Sequence, residues 1–190
     1  MESKKLLVTA SPHLTDGSST MGLMVHVIIA LVPAWIASVL IFGLRALAVS
    51  AVTVIACVVF EALYNILMKK PQTIGDCSAV VTGIILAFNL PASIPLWIAV
   101  VGAFVAIVVT KQLFGGLGMN FANPALVGRI ALFIGFAARM TNYTPPEGAL
   151  DGMASATPLA LAKTQSGIAM LKDLLLGTHP GMLGETCAVA

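Results

Sequence analysis

Charged side chains are scarce in this sequence. Only 9% of its 190 residues are Asp, Glu, Lys or Arg, whereas a soluble globular domain carries about a quarter. The hydrophobic fraction is 58% and the mean hydropathy is +0.99, which places the chain in the membrane class. The net charge of +2 is too small to indicate a nucleic-acid partner, and none is predicted.

Cysteine is also rare. Cys57, Cys77 and Cys187 form no Cys-x-x-Cys pair and no evident metal-ligand set with the three histidines, so no metal site is predicted. An odd, scattered set argues against a disulfide framework and favours buried thiols. The chain also lacks a Gly-x-Gly-x-x-Gly motif after a strand and a cysteine set for an iron–sulfur cluster. It therefore offers no evident site of its own for a dinucleotide or for a ferredoxin-type cluster.

Long uncharged runs are what the sequence has instead. About 20 apolar residues cross a bilayer as a helix, and no charge occurs between Asp16 and Arg45. Pro33 lies inside this first run, where a membrane helix tolerates it because neighbouring groups re-satisfy the freed carbonyl. We predict an all-α integral membrane protein with about five spans, at residues 22–43, 46–68, 78–90, 94–110 and 121–138.

The third and fourth spans are separated by the stretch LPASIP, residues 90–95. Pro91 and Pro95 each remove a helical hydrogen bond, so the pattern predicts two helices joined by a tight turn. The first of the two is short for a full crossing, as the binding-site helices of transporters often are.

Lysine and arginine in the short loops set the orientation. With the N-terminus in the cytoplasm, the lysines fall inside and only two arginines lie at outer ends: Lys4, Lys5, Lys69, Lys70 and Lys111 against Arg45 and Arg139. We therefore predict a cytoplasmic arm (residues 1–20), a transmembrane bundle (residues 21–140) and an extracytoplasmic segment (residues 141–190). This last segment contains a predicted interfacial helix over 158–177 and the start of a further span, so the natural protein is expected to continue.

Polar residues inside spans are candidates for function. Glu61 and Arg129 are the deepest ionisable residues, and the alternative for both is snorkelling or an ion pair with a partner subunit. His26 lies one turn into the first span, where a buried, hydrogen-bonded histidine is the plainer interpretation. Asp76 precedes a predicted helix and can simply cap it.

Residues 114–129, FGGLGMNFANPALVGR, hold a dense set of glycines and asparagines. Carboxamides near a helix N-terminus supply hydrogen-bond edges that a flavin or quinone can use. The alternative is an ordinary turn followed by a helix start. The set consists of Gly115, Gly116, Gly118, Asn120 and Asn123.

A second motif is DGMASATPLA, residues 151–160. Thr157 before Pro158 is typical of a helix N-cap with proline at the first helical position. That interpretation leaves unexplained the residues that precede the threonine: Asp151, Gly152, Ser155 and Ala156.

Several blocks together resemble the RnfD protein of the Rnf complex and the related NqrB protein of the sodium-pumping NADH:quinone reductase. They are SPH (residues 11–13), the run 75–97, the run 111–129, the motif at 151–160 and GMLGETCAVA (residues 181–190). The SPH block and the short N-terminal arm favour the Rnf side. The resemblance covers essentially the whole chain, as roughly the first half of such a protein.

The resemblance implies a flavoprotein. It implies FMN held through a phosphodiester bond to Thr157 and installed by a flavin transferase that recognises Asp151, Gly152, Ser155 and Ala156. It further implies a noncovalent riboflavin, for which the glycine and asparagine set at 115–123 is the candidate pocket. Glu61, Asp76 and His26 are then candidates for an ion path.

The resemblance also implies architecture and partners. The family fold is similar to urea transporters, which contain two inverted repeats of five spans, and the five predicted spans match one repeat. Partners would be other subunits of the complex, which carry iron–sulfur clusters, FMN and the NAD site, in the bacterial cytoplasmic membrane. Two alternatives stay open: the NqrB protein of the quinone reductase, and a non-redox channel in which Thr157 is only a cap.

Overall fold

A computed structural model of the chain describes residues 19–143, Gly177 and residues 179–185. Three predicted segments lie outside these residues: the cytoplasmic arm except for Ser19 and Thr20, the motif around Thr157, and the helix that follows it except for Gly177. The described part is helical, and it contains no β-strand within those ranges. Its helices are α1 (Thr20–Phe42), α2 (Leu44–Leu67), α3 (Ser78–Phe88), α4 (Leu96–Phe104), α5 (Pro124–Gly135) and α6 (Ala137–Met140).

The two long helices follow one another almost without a loop. α1 has 23 residues and α2 has 24, and both are long and apolar enough to cross a membrane. Ser19 caps α1 by accepting a hydrogen bond from the Gly22 amide at 3.1 Å. Gly43 joins the helices with a φ of 67°, a left-handed conformation that a residue with a Cβ adopts only with strain.

The predicted break after the third span is present. α3 ends at Phe88 and α4 begins at Leu96, each within two residues of the prediction. α3 has 11 residues, which corresponds to about 16 Å, or roughly half the hydrocarbon thickness of a bilayer. α4 continues directly into a π-helical segment, Val105–Gln112, which ends two residues beyond the predicted span.

The fifth predicted span differs more from the structure. A single helix was expected over 121–138, but α5 covers only Pro124–Gly135 and the short α6 follows. Phe136 separates them with φ −133° and ψ 42°, outside the helical region. The helix start is as the sequence indicated, because Asn123 caps it and Pro124 occupies the first helical position.

A segment distant in sequence covers the break between α3 and α4. Leu183 donates its amide to the Leu90 carbonyl at 3.1 Å, and Gly184 donates to the Phe88 carbonyl at 3.0 Å. Pro91 and Met182 form an antiparallel bridge beside these bonds. The break therefore has its freed carbonyls satisfied by protein, as backbone inside a membrane requires.

We expect Gly184→Ala to weaken this pairing. A Cβ at Gly184 would clash with the Phe88 Cβ, so the two segments must move apart. Overpacking of this kind costs about 1–3 kcal/mol, which lowers the midpoint of thermal unfolding by roughly 2–12 °C. Gly75→Ala is the matched control, because nothing lies within 4 Å of a Cβ there. Equal midpoints for the two variants in detergent would contradict the expectation.

Two buried clusters hold the bundle together. One joins the ends of α1 and α2 to α4, α5 and the covering segment, around Phe42, Leu90 and Leu132. The other joins α2, α3, α5 and the π-helical segment around Cys57, Leu86 and Ile107. In α1 only Ser38 and Phe42 are buried, so most of this helix faces outward from the described bundle.

Candidate functional site

The most deeply buried charges of the described residues form an ion pair. The Lys111 Nζ lies 2.8 Å from the Glu61 Oε2, and both side chains are almost completely buried, with exposures of 2% and 0%. The two residues are 50 positions apart in sequence. Removing two charges from water is costly, so a pair of this kind is stable only when further hydrogen bonds satisfy its remaining atoms.

The π-helical segment places Lys111 in this position. A π-helix has wider turns than an α-helix and is frequently found at functional sites. The Thr110 hydroxyl donates to the carbonyl of Val105, five residues back, at 3.1 Å. Thr110, Lys111 and Gln112 are all buried, so three consecutive polar residues are directed into the protein.

Hydroxyl and carboxylate groups complete the surroundings of the pair. The Lys111 Nζ donates to the Ser78 Oγ at 2.6 Å, and this hydroxyl donates to the Asp76 Oδ1 at 2.6 Å. The other Glu61 oxygen, Oε1, accepts from the Thr73 hydroxyl at 2.6 Å. We call the set formed by Glu61, Thr73, Asp76, Ser78 and Lys111 the acid–lysine cluster.

The acid–lysine cluster lies where three helical elements meet. Glu61 is near the end of α2, Ser78 is the first residue of α3, and Lys111 is next to last in the π-helical segment. All three positions belong to the end of the bundle predicted to face the cytoplasm. Thr73 and Asp76 come from the α2–α3 loop, where Thr73 is exposed, so the cluster continues to the protein surface.

Two expectations from the sequence are corrected here. Lys111 was assigned to a loop, whereas the structure buries it in a helical segment. The alternative for Glu61 was snorkelling or an ion pair with a partner subunit, whereas the structure shows an ion pair with Lys111 of the same chain. The sequence already shows a glutamate near the cytoplasmic end of the second predicted span and a lysine just after the cytoplasmic end of the fourth. The opposite charges of these two side chains, at the same predicted membrane depth, were the signal that could have predicted the ion pair.

Asp76 lies one position before the N-cap of α3. That cap is Cys77, whose side chain makes no capping hydrogen bond, so the expectation that Asp76 is the cap is corrected. The Asp76 Oδ1 accepts from the backbone amide of Ser78, the first helical residue, at 2.8 Å, and it also accepts from the Ser78 hydroxyl. One carboxylate therefore satisfies a free amide at the helix start and belongs to the acid–lysine cluster.

The other two ionisable candidates lie elsewhere. His26 is hydrogen-bonded, because its Nδ1 lies 2.6 Å from the Gly22 carbonyl, but the expectation that it is buried was wrong: it faces outward on α1. Arg129 is half-buried and donates from Nη1 to the Asn89 Oδ1 at 2.8 Å. This bond ties α5 to the last residue before the helix break.

The glycines of the 114–123 loop have a conformational reason. Their φ angles are 115° at Gly115, 98° at Gly116 and 86° at Gly118, all in the region that favours glycine. A Cβ at Gly116 or Gly118 would meet no atom within 4 Å, so crowding is not the reason for glycine there. Asn123 accepts from the Ala125 amide at 3.0 Å and caps α5. The ordinary interpretation as turn and cap accounts for these four residues.

Asn120 is the exception in this loop. Its Oδ1 is buried and has no hydrogen-bond partner among the described residues. An unpaired buried acceptor costs about 1–3 kcal/mol unless a ligand or water satisfies it. The carboxamide oxygen fits the imide N–H of a flavin ring, which is a donor. The attachment residues around Thr157 lie outside the described part of the chain, so the evidence for FMN at that position is the sequence motif.

Long apolar helices, a helix pair interrupted at prolines and ionisable side chains buried between helices are features of a helical integral membrane protein. Residues 7–190 match the model of the NQR2, RnfD, RnfE family, and the chain belongs to that family. The resemblance to RnfD that the sequence motifs carry is confirmed.

Several curated relatives are similar along most of the chain. The D subunit of the Na(+)-translocating ferredoxin:NAD(+) oxidoreductase complex of Acetobacterium woodii is 46% identical over 196 residues, covering 100% of this chain and 61% of the relative. The D subunit of the proton-translocating ferredoxin:NAD(+) oxidoreductase complex of Clostridium ljungdahlii is 36% identical, covering 96% of this chain and 58% of the relative. The chain thus spans about 60% of the length of these relatives.

Proposed function

We propose that this chain belongs to the RnfD-type membrane subunit of an ion-translocating ferredoxin:NAD+ oxidoreductase complex. The observation that carries this proposal is the 46% identity with the Acetobacterium woodii relative along the whole chain. In this role the chain relays electrons within the membrane and contributes to Na+ or H+ transport. Ferredoxin and NAD would bind to other subunits, since the sequence lacks the motifs for either.

The proposed setting is the bacterial cytoplasmic membrane, with the N-terminus in the cytoplasm and Thr157 on the outer side. Lysine and arginine placement supports this orientation. The described helices would then form most of one five-span repeat of a urea-transporter-like fold, followed by an extracytoplasmic segment from residue 141. The α3–α4 break supports this architecture, because transporter repeats commonly contain interrupted helices near the membrane midplane.

We place covalent FMN on Thr157, with Asp151, Gly152, Ser155 and Ala156 as the motif that a flavin transferase recognises. When bound, the flavin supplies one- and two-electron redox chemistry that side chains lack. The Thr157 hydroxyl would provide the ester oxygen, and this oxygen is then no longer available as an N-cap acceptor. Pro158 needs no backbone partner at the first helical position, so the helix start does not depend on that cap.

A noncovalent riboflavin is proposed at the loop that contains Gly115, Gly116, Gly118, Asn120 and Asn123. The unpaired Asn120 oxygen supports this placement, and Phe114 and Phe121, with ring centroids 4.8 Å apart, lie in the same loop. The glycines would shape the loop, and Asn123 would hold the start of α5 against it.

Glu61, Asp76 and His26 are proposed to line an ion path. The buried position of Glu61, and its connection to the surface loop through Thr73, support this role for the acid–lysine cluster. His26, exposed on α1, would act on the same side of the bundle.

Thr157→Ala is expected to abolish covalent flavin. The full-length chain is produced in cells that contain the flavin transferase and is separated by denaturing electrophoresis. The wild-type chain should give a flavin-fluorescent band. Thr157→Ala should give none, because it lacks the hydroxyl oxygen that forms the ester. Thr164→Ala is the matched control, since Thr164 lies outside the motif, and it should remain fluorescent. A wild-type band without flavin fluorescence would refute the flavin proposal and favour a non-redox channel.

A further inference from the structure

We propose that the Lys111 ammonium group occupies a site for a monovalent metal cation made by Glu61 and Ser78, and that a translocated ion must displace it. Lys111 would then be a positioning residue that closes the ion path while its ammonium group is bonded to Glu61 and Ser78. The inference rests on the proposed function only in assuming that an ion moves through this subunit. The cation site itself does not depend on a flavin.

The first argument is the geometry around the Lys111 Nζ. Two oxygens from different elements converge on it, the Glu61 Oε2 at 2.8 Å from α2 and the Ser78 Oγ at 2.6 Å from α3. Neither oxygen is supplied by the segment that carries Lys111. The oxygens thus form a small acceptor site between two helices, and the lysine reaches into it from a third element.

The second argument is the direction of the hydrogen bonds. The Ser78 hydroxyl gives its proton to the Asp76 carboxylate, so it can face the Nζ only with a lone pair. The Thr73 hydroxyl gives its proton to the Glu61 Oε1 and accepts from the Asn65 amide at 3.1 Å. Both hydroxyl protons are therefore directed at a carboxylate. Metal cations require the same arrangement, because they bind oxygen lone pairs.

The third argument is the charge of the site. With Glu61 and Asp76 ionised, the acid–lysine cluster carries two negative charges and one positive charge. A buried carboxylate without a counter-charge is strongly unfavourable, so Glu61 in its ionised form needs a cation beside it. If Lys111 leaves, a metal ion is a direct replacement for it.

The fourth argument is the position of Lys111 in the chain. The lysine stem is long and flexible, and Lys111 lies next to the last residue of a π-helical segment, a type of helix frequently found at functional sites. The glycine-rich loop that follows begins only three residues further, at Phe114 and Gly115. An ammonium group that an ion displaces would turn toward this loop.

The test uses Lys111→Met, which vacates the proposed cation position without adding a charge. Cys57 is the reporter, because it is fully buried one helical turn before Glu61. Inside-out membrane vesicles from cells that produce the full-length chain are treated with N-ethylmaleimide. Labelling of the Cys57 peptide is followed by mass spectrometry, in sodium chloride and in choline chloride at equal ionic strength.

We expect sodium to slow Cys57 labelling in Lys111→Met by at least about tenfold relative to choline, because a bound ion stabilises the closed cluster by mass action. No effect of sodium on Cys57 labelling is expected in three chains: the wild type, Lys111→Arg and the double variant Glu61→Gln/Lys111→Met. The first two keep a cation in the site, and the third removes the charge that needs one.

Equal labelling of Lys111→Met in sodium and choline would overturn the proposal. If Lys111→Met fails to accumulate in cells, the double variant decides the question. Accumulation of Lys111→Met that is restored by raised sodium supports a cation site. Failure at every sodium concentration, while the double variant accumulates, overturns it. None of these measurements depends on flavin. The cation-site proposal can therefore be overturned while the Thr157 experiment supports covalent FMN, and it can be supported while that experiment refutes covalent FMN.

Discussion

Glu61→Gln is expected to be among the most destabilising single substitutions in this chain. It removes the carboxylate in direct contact with the buried Lys111 ammonium, the only such contact among the described residues, and leaves Asp76 connected to it only through the Ser78 hydroxyl. Breaking a buried ion pair from one side costs about 3–5 kcal/mol. For a chain of this size that corresponds to a fall of roughly 6–20 °C in the midpoint of thermal unfolding, measured in detergent by fluorescence-detected size exclusion.

The double variant separates charge from packing. In Glu61→Gln/Lys111→Met neither charge is left buried, so we expect most of the lost stability to return. Glu185→Gln, at an exposed carboxylate, is the matched control and should leave the midpoint nearly unchanged. If Glu61→Gln and Glu185→Gln have the same unfolding midpoint, the Glu61–Lys111 pair contributes nothing to stability, which would contradict its burial as an ion pair.

Gly83→Val is expected to separate α2 from α3. A Cβ at Gly83 would lie 2.7 Å from the Val54 Cα, and that atom is backbone that no rotamer change can move. The two helices must therefore shift as bodies, which costs at least the 1–3 kcal/mol or so typical of overpacking. Since Ser78 is carried by α3 and Glu61 by α2, the same shift opens the acid–lysine cluster.

The measurement for Gly83→Val is the rate of Cys57 alkylation together with the unfolding midpoint. We expect faster alkylation and a lower midpoint than in Gly135→Val, where the new side chain would meet nothing within 4 Å of its Cβ. Unchanged alkylation in Gly83→Val would show that the α2–α3 contact yields without opening the cluster.

Much of the helical framework could be predicted from the sequence because it depends on local physics. Apolar runs of sufficient length mark α1 and α2, and Pro91 and Pro95 forbid a continuous helix between α3 and α4. Asn123 and Pro124 begin α5 by capping chemistry that spans only a few residues. The helix end near Gly135 was missed, because no proline or charge marks it and the interruption at Phe136 carries no evident local signal.

The candidate site divides along the same line. The motif around Thr157 is a contiguous stretch, so the sequence alone identifies it, and the family relationship rests on such stretches. The hydrogen bond from the Ser78 amide to Asp76 is also local, since it spans two positions, although the N-cap itself is Cys77.

Only the tertiary structure decided which buried polar groups meet. Lys111 was visible as a lysine at the end of an apolar run, but whether it points to water or to Glu61 depends on how α2 packs against the π-helical segment. The Arg129–Asn89 bond and the pairing of residues 182–184 with the helix break depend on packing in the same way. The physical reason is common to all three. A local pattern specifies the conformation of a few neighbouring residues, whereas the pairing of charges 50 positions apart is set by the packing of whole helices.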